Sequence, residues 1–138
     1  NRFMWTYNNE PLTEIPEGFV AFVYLITNRK TGRQYVGKKL FRFSKSRKVK
    51  GKRQKKLVSS DWMTYYGSNK VLKEEVSLLG EDSFKREVLH LCRTKVEASY
   101  MEAKEIILRD AIAKDSFYNE WLMVRVTRNH LPKPETKA

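Results

Sequence analysis

Residues 19–39 read FVAFVYLITNRKTGRQYVGKK, and the architecture of the chain turns on how this stretch folds. A continuous apolar run bounded by turn residues suits a fully buried strand, which is expected over 19–27. Asn28 and Gly32 supply turn chemistry across 28–33, and a second short strand follows over 34–37. The stretch is thus expected to be a hairpin, with Tyr24 near the middle of its first strand and Tyr35 at the start of its second. Taken alone it is compatible with an ordinary hairpin carrying two strand tyrosines. The rest of the chain has to decide.

Composition narrows the field. A chain of 138 residues is one domain by length and can bury a modest core without covalent staples. The formal net charge is +12 and the sequence pI about 9.9, which calls for a polyanionic partner. Nucleic acid is the commonest, because Lys and Arg that neutralise phosphates release condensed counterions. An anionic membrane is disfavoured, since no long apolar segment is present and the cations do not fall on one amphipathic helix. Cys92 is the single cysteine, which excludes an intrachain disulfide and a cysteine zinc cluster. With no visible leader, these features imply a reducing, intracellular setting, although a chain beginning at Asn1 need not show its original start.

Outward from the hairpin, residues 1–18 mix aromatics (Phe3, Trp5, Tyr7) with Asn8, Asn9, Pro11 and Pro16, and are read as an arm packing across the sheet with one edge strand. On the other side lies LFRFSKSRKVKGKRQKKL, with Arg42, Lys45, Arg47, Lys48, Lys50, Lys52, Arg53, Lys55 and Lys56. Lys38 and Lys39 extend this basic segment over 38–57. No helical or strand period organises it and the like charges repel, so a mobile loop is expected, one that contacts phosphates with little sequence preference. A solvated charge run or a localisation signal is the competing reading.

Further on, a capped turn over 59–66 (Ser60 or Asp61) precedes a helix capped by Ser68 or Asn69 and running to residue 79 with Leu72, Val76 and Leu79 inward. A third strand is expected over 84–91. A long helix follows over 95–114, with Thr94 and Glu97 as a capping box and Val96, Tyr100, Ala103, Ile107 and Ala111 as its apolar face. Residues 122–126 are read as pairing with the sheet, and 127–138 as a flexible tail. The fold class is α/β (α+β), a small three-stranded, mainly antiparallel sheet flanked by helices, with one domain over 19–126 and no internal repeat.

These parts, in this order, resemble the GIY-YIG nuclease superfamily. Tyr24 ends a triplet Phe22-Val23-Tyr24, and Tyr35-Val36-Gly37 forms the second; the first departs from the family by lacking its glycine. The helix EASYMEAKEII carries Glu102 four residues before Ile106, where the family places its metal-binding glutamate, and Asn119 in FYNEW stands where it places an asparagine. The match covers about residues 19–121. The resemblance implies a divalent-metal-dependent DNA endonuclease using Mg2+ or Mn2+, of phage, homing or structure-selective kind. Glu102 would hold the metal, Tyr24 would position or deprotonate the attacking water, Tyr35 would line the same surface and Asn119 would orient hydrogen bonds. For the family's arginine the sequence offers Arg42 first on spacing, with Arg47, Lys38 and Lys39 also eligible. For its His or Tyr the choice is Tyr66, with Tyr65 and Ser68 adjacent.

Each residue also has an ordinary explanation: Tyr24 as core, Glu102 as a solvated helix residue, Asn119 as a turn former, and His90 with Cys92 as strand packing rather than a metal pair. Trp5, Trp62 and Trp121 read as core or lid, with Trp62, beside the basic segment, also eligible as a base-stacking platform. The function class that competes with the nuclease is a catalytically silent DNA- or RNA-binding module. The expected partner is duplex or branched DNA, and cutting both strands with one site would need a homodimer or two successive nicks.

Overall fold

The computed structural model of the chain describes residues 4–131. Phe3 and the tail beyond residue 131 lie outside the described residues. In chain order the elements are β1 (Thr6–Tyr7), β2 (Glu10–Pro11), β3 (Ala21–Asn28), β4 (Gln34–Leu40), β5 (Arg42–Val49), β6 (Lys52–Ser59), α1 (Lys70–Leu79), β7 (Phe84–Cys92) and α2 (Lys95–Leu108). Short 3-10 turns sit at Trp62–Thr64, Glu81–Ser83 and Arg128–His130.

The stretch quoted first is indeed the centre of the molecule. β3 pairs antiparallel with β4 on one side and with β7 on the other. Because side chains alternate across a strand, its buried run serves two cores at once. Phe22, Tyr24 and Ile26 enter one core with Trp5, Phe41, Trp62, Tyr66 and the α1 residue Leu72. Ala21, Val23 and Leu25 enter the other with Val36 and the α2 residues Ala98 and Ile106. The turn after β3 is held by Asn28, whose side-chain oxygen accepts from the amides of Lys30 at 3.0 Å and Thr31 at 3.3 Å.

The sheet has five strands rather than three, in the order β2-β1-β7-β3-β4, and β1 runs parallel to β7, so it is mixed. The two extra strands come from the arm. Asn8 and Asn9 both have positive φ (51° and 66°) and reverse the chain between β1 and β2, as a two-residue hairpin turn requires. Strands of two residues carry no period for a sequence to display. What anchors the arm is Trp5, 1% exposed, whose indole N–H donates to the Trp62 carbonyl at 2.6 Å.

A larger departure is the basic segment. It is not an irregular loop but a regular antiparallel hairpin, β5 against β6, in register from Arg42 opposite Ser59 to Val49 opposite Lys52. Lys50 and Gly51, with φ of 51° and 77°, close it in the geometry of a two-residue hairpin turn. Both faces are largely wet, so no apolar alternation marks either strand. Phe41, fully buried against Phe22 and Trp62 with ring centroids 4.8 and 5.1 Å away, roots the hairpin in the core.

The second helix also departs from expectation. It stops at Leu108, and Asp110 takes a left-handed backbone (φ 55°) that ends it. Thr94 caps it as anticipated, accepting from the Glu97 amide at 3.0 Å, while the Glu97 carboxylate reaches past the cap to the Arg93 amide at 2.9 Å. Its inward stripe is Ala98 and Ile106, with Glu102 midway between them; of the expected face Ala103 is also buried, whereas Ile107 is 64% exposed. Residues 122–126, expected to pair with the sheet, form no strand; the edge of β4 is met instead by residues 116–119.

Candidate active site

That edge is taken by a side chain. The backbone amide of Val36 donates to the side-chain oxygen of Asn119 at 3.0 Å, and the Asn119 amide donates to the Val36 carbonyl at 2.8 Å. A carboxamide has one acceptor and two donors, so it can stand in for a passing peptide group and satisfy a buried strand edge. On the preceding residues, the Gln34 amide donates to the Ser116 carbonyl at 2.9 Å and the Tyr118 amide to the Gln34 carbonyl at 2.8 Å. The chain after α2 is thereby clamped along β4, and a cavity of about 130 Å³ opens beside the clamp.

Tyr35, Ser68, Glu102 and Asn119 all line this cavity, with Glu120, Trp121 and Met123 at its outer wall. The α2 stripe explains the presence of Glu102: with Ala98 and Ile106 packed inward, the residue a turn from each is carried to the sheet edge rather than to solvent. Burial raises its carboxyl pKa above the usual range, and Lys38 offsets this only in part. Among the described residues no hydrogen bond or ion pair reaches the carboxylate. Lys38 itself donates to the Ser99 hydroxyl at 2.7 Å.

Tyr24 lies directly across the β3–β4 ladder from Gly37. A Cβ on Gly37 would stand 2.3 Å from the Tyr24 hydroxyl oxygen, so only glycine lets the phenol lie across the strand. The ladder between β3 and β7 slips by one residue between Val23 and Tyr24, a bulge beside the site. Tyr24 is 1% exposed. Burial, then the neighbouring Tyr65 and Tyr35, a hydrogen bond with Tyr65 and the charge of Glu102 push its pKa well above the usual phenol value. Tyr35 is raised less: burial lifts it and a 3.2 Å hydrogen bond with the Ser68 hydroxyl opposes the shift. The Tyr24 and Tyr35 ring centroids are 6.2 Å apart.

The cations divide by strand alternation. Tyr35, Gly37 and Lys39 point to one face of β4, and Lys38 to the other, toward α2. Lys39 stands 3.9 Å from the Tyr65 ring centroid and 2.7 Å from Asp61, whose pKa it lowers. Arg42 is elsewhere. It begins β5 beyond the far end of β4 from Tyr35, exposed, in a separate groove with Phe43, Leu57 and Arg93. Tyr66 is buried, its ring 4.2 Å under the Arg86 guanidinium and its hydroxyl without a hydrogen-bond partner among the described residues, and it does not line the cavity. Tyr65 is the one beside Tyr24, with rings edge-on at 6.0 Å.

The structure therefore gathers Tyr24, Tyr35, Glu102 and Asn119 around the β4 edge, with Lys38 and Lys39 beside them, and does not bring Arg42 or Tyr66 there. Tyr65, not the expected Tyr66, is the neighbour of Tyr24, and no period in an irregular stretch distinguishes the two. Lys39 joins the tyrosine face because β4 runs on to Leu40, beyond the expected strand end at residue 37. Trp121, 72% exposed at the cavity wall, was read as core or lid.

The donor set suits a hard divalent cation: the Glu102 carboxylate in a polar cavity with room for water, and a second carboxylate, Glu120, at its wall. No group of three or more His, Cys, Asp or Glu side chains capable of holding a metal occurs among the described residues, so a cation here would be held by Glu102, with Glu120 at the cavity wall, and by water. His90 instead lies 3.5 Å from Glu105, and Cys92 is a buried thiol pushed up to about 12.

Comparison with known proteins identifies the family. The family model described as "Putative endonuclease segE, GIY-YIG domain" matches residues 5–122. A curated relative, "Putative endonuclease segE" of Enterobacteria phage T4, is 31% identical over 100 residues, covering 71% of this chain and 39% of the relative. No solved structure matches. The chain thus spans well under half of that relative, and the domain it shares is the one holding the cavity at the β4 edge. The chain belongs to the GIY-YIG endonuclease family, within its segE type.

Proposed function

We propose that this chain is a divalent-metal-dependent DNA endonuclease, hydrolysing phosphodiester bonds at the cavity beside β4. The observation that carries the proposal is the convergence of Tyr35, Glu102 and Asn119 on one open, polar cavity, with Tyr24 held against Gly37 next to it. A bound Mg2+ or Mn2+ supplies Lewis-acid charge at the phosphate and acidifies coordinated water. Glu102 holds the cation. Its raised pKa reflects a carboxylate that burial has left without a protein partner, and a divalent ion removes that penalty.

Tyr35, its hydroxyl at the cavity, meets the phosphate or the attacking water. Tyr24 stays protonated at neutral pH in the bare site, so it acts there as a hydrogen-bond donor that orients water rather than as a free phenolate. Lys39 takes the role that spacing offered to Arg42, since it stands on the tyrosine face and exchanging Asp61 for a phosphate costs it little. Asn119 touches no reacting atom in this scheme: both ends of its amide are committed to Val36, and it positions Tyr35 by fixing β4.

The test is nicking of supercoiled plasmid and of a branched DNA with Mg2+, with EDTA, and with Glu102→Gln at matched DNA affinity. Metal-dependent nicking lost in the variant supports the assignment. Tight, salt-sensitive binding without cutting under either metal establishes a silent binding module instead.

A further inference from the structure

The β5–β6 hairpin is the most highly charged feature of the molecule, and the cavity chemistry leaves it unused. It carries nine cations and no acid between Arg42 and Ser59. Lys45 faces Lys56 and Lys48 faces Arg53 directly across the ladder, pairs that repel. Eight residues in each strand make a ribbon about 26 Å long at about 3.3 Å per residue. A ribbon with no packed face and opposed like charges is suited to an environment that is negative on both sides. The groove of a nucleic acid duplex, walled by two phosphate chains, is such an environment.

Three observations select the groove. A two-stranded ribbon fits the major groove, about 12 Å wide, and not the minor groove of about 6 Å. From Ser44 to Leu57 the ribbon has no aromatic side chain, so it lacks the stacking platforms by which proteins hold single strands. It has no apolar face to lay on a lipid surface either. Moreover, its faces differ. Arg47 lies opposite Gln54 on the face with Lys45 and Lys56, whereas Lys48, Arg53 and Lys55 share the other with Ser44 and Ser46. Arg and Gln are the side chains that form paired hydrogen bonds with guanine and adenine edges, while Lys and Ser serve phosphate oxygens.

We propose that the β5–β6 ribbon enters the major groove of duplex DNA within one helical turn of the cut, with Arg47 and Gln54 toward the bases and Lys48, Arg53 and Lys55 toward the phosphates. This rests on the endonuclease reading and adds to it the substrate form and the source of site preference. The basic segment then does more than add affinity.

The experiment uses the full chain carrying Glu102→Gln, so that binding is read without cleavage. Lys50→Cys at the ribbon tip is coupled to a thiol-reactive iron–EDTA group; Cys92, buried and with its thiol pKa raised, does not compete for the label. Expected is focused scission of a bound duplex with the strand offset typical of a major-groove probe, abolished by methyl green in the major groove and retained with netropsin in the minor groove. A minor-groove offset, or diffuse scission of a duplex that is nonetheless bound, overturns the ribbon proposal alone. Failure to bind DNA at all overturns it together with the endonuclease reading.

A second pair of variants guards against a folding artefact. Lys48→Gln with Lys55→Gln should weaken binding to all duplexes and lower the salt slope by about 2. Arg47→Ala with Gln54→Ala should flatten base preference in a random duplex library by about 10-fold or more per contact. Identical effects of the two pairs would overturn the division of faces.

Discussion

Glu102 sits between two requirements that pull its protonation in opposite directions. The fold raises its pKa by burial, so its contribution to stability is complete below the unfolded-state carboxyl pKa and is lost as pH rises through the higher folded value. Glu102→Gln removes that loss. The variant should melt above the native chain at pH 7, the difference should shrink toward pH 4, and the same variant should not nick DNA. Thermal melts in EDTA across that range check the sign. Gly37 makes a complementary prediction, since Gly37→Ala drives a methyl into the Tyr24 hydroxyl. The expected cost is about 1–3 kcal/mol by denaturant unfolding, as for other overpacked sites, and nicking falls further than stability because Tyr24 is displaced.

At the scale of elements, two strand edges are managed by different means. The outer edge of β4 is closed by the Asn119 carboxamide, so Asn119→Ala leaves a buried N–H and C=O of Val36 unpaired. A loss of about 1–3 kcal/mol is expected, with hydrogen exchange at Val36 accelerated, and Asn119→Asp should not restore stability because a carboxylate cannot donate to the carbonyl. The β5–β6 ribbon is instead open on both faces and opposes like charges. Its amides should gain protection as salt rises from about 10 mM to about 1 M, because screening shortens the reach of the repulsion. Two-dimensional NMR exchange measurements read both effects on one sample.

Across the whole molecule, the arm and the sheet are one cooperative unit because Trp5 fills the core between Phe22 and Tyr24, at ring separations of 5.0 and 5.1 Å. Trp5→Ala should cost about 3–5 kcal/mol in urea unfolding, a large part of the stability of a small domain. Because Trp5 also touches Tyr24, the loss reaches the site: nicking by the folded fraction should fall as well. No helix among the described residues is long and apolar enough to cross a membrane.

What the residues determined unaided was the central strand, the partner strands on either side of it and the two helix starts; the family motif added Tyr24, Tyr35, Glu102 and Asn119 as candidates, which the fold gathers at one strand edge. Each of these rests on a local signal: an unbroken apolar run, a turn residue, a cap, or a family motif. Tertiary structure alone decided the rest. Glu102 lies on the inward stripe of α2 because helix docking, not the composition of the helix, chose which face meets the sheet. Tyr65 rather than Tyr66 reaches Tyr24 because an irregular stretch has no period from which direction can be read. The basic segment is a ribbon because a strand wet on both faces leaves no hydrophobic alternation, and its one local signal was the Lys50-Gly51 turn. Arg42 stands away from the cavity for the same reason: a hairpin carries it off the end of β4, and only the folded chain reveals that the nearest cation on the tyrosine face is Lys39.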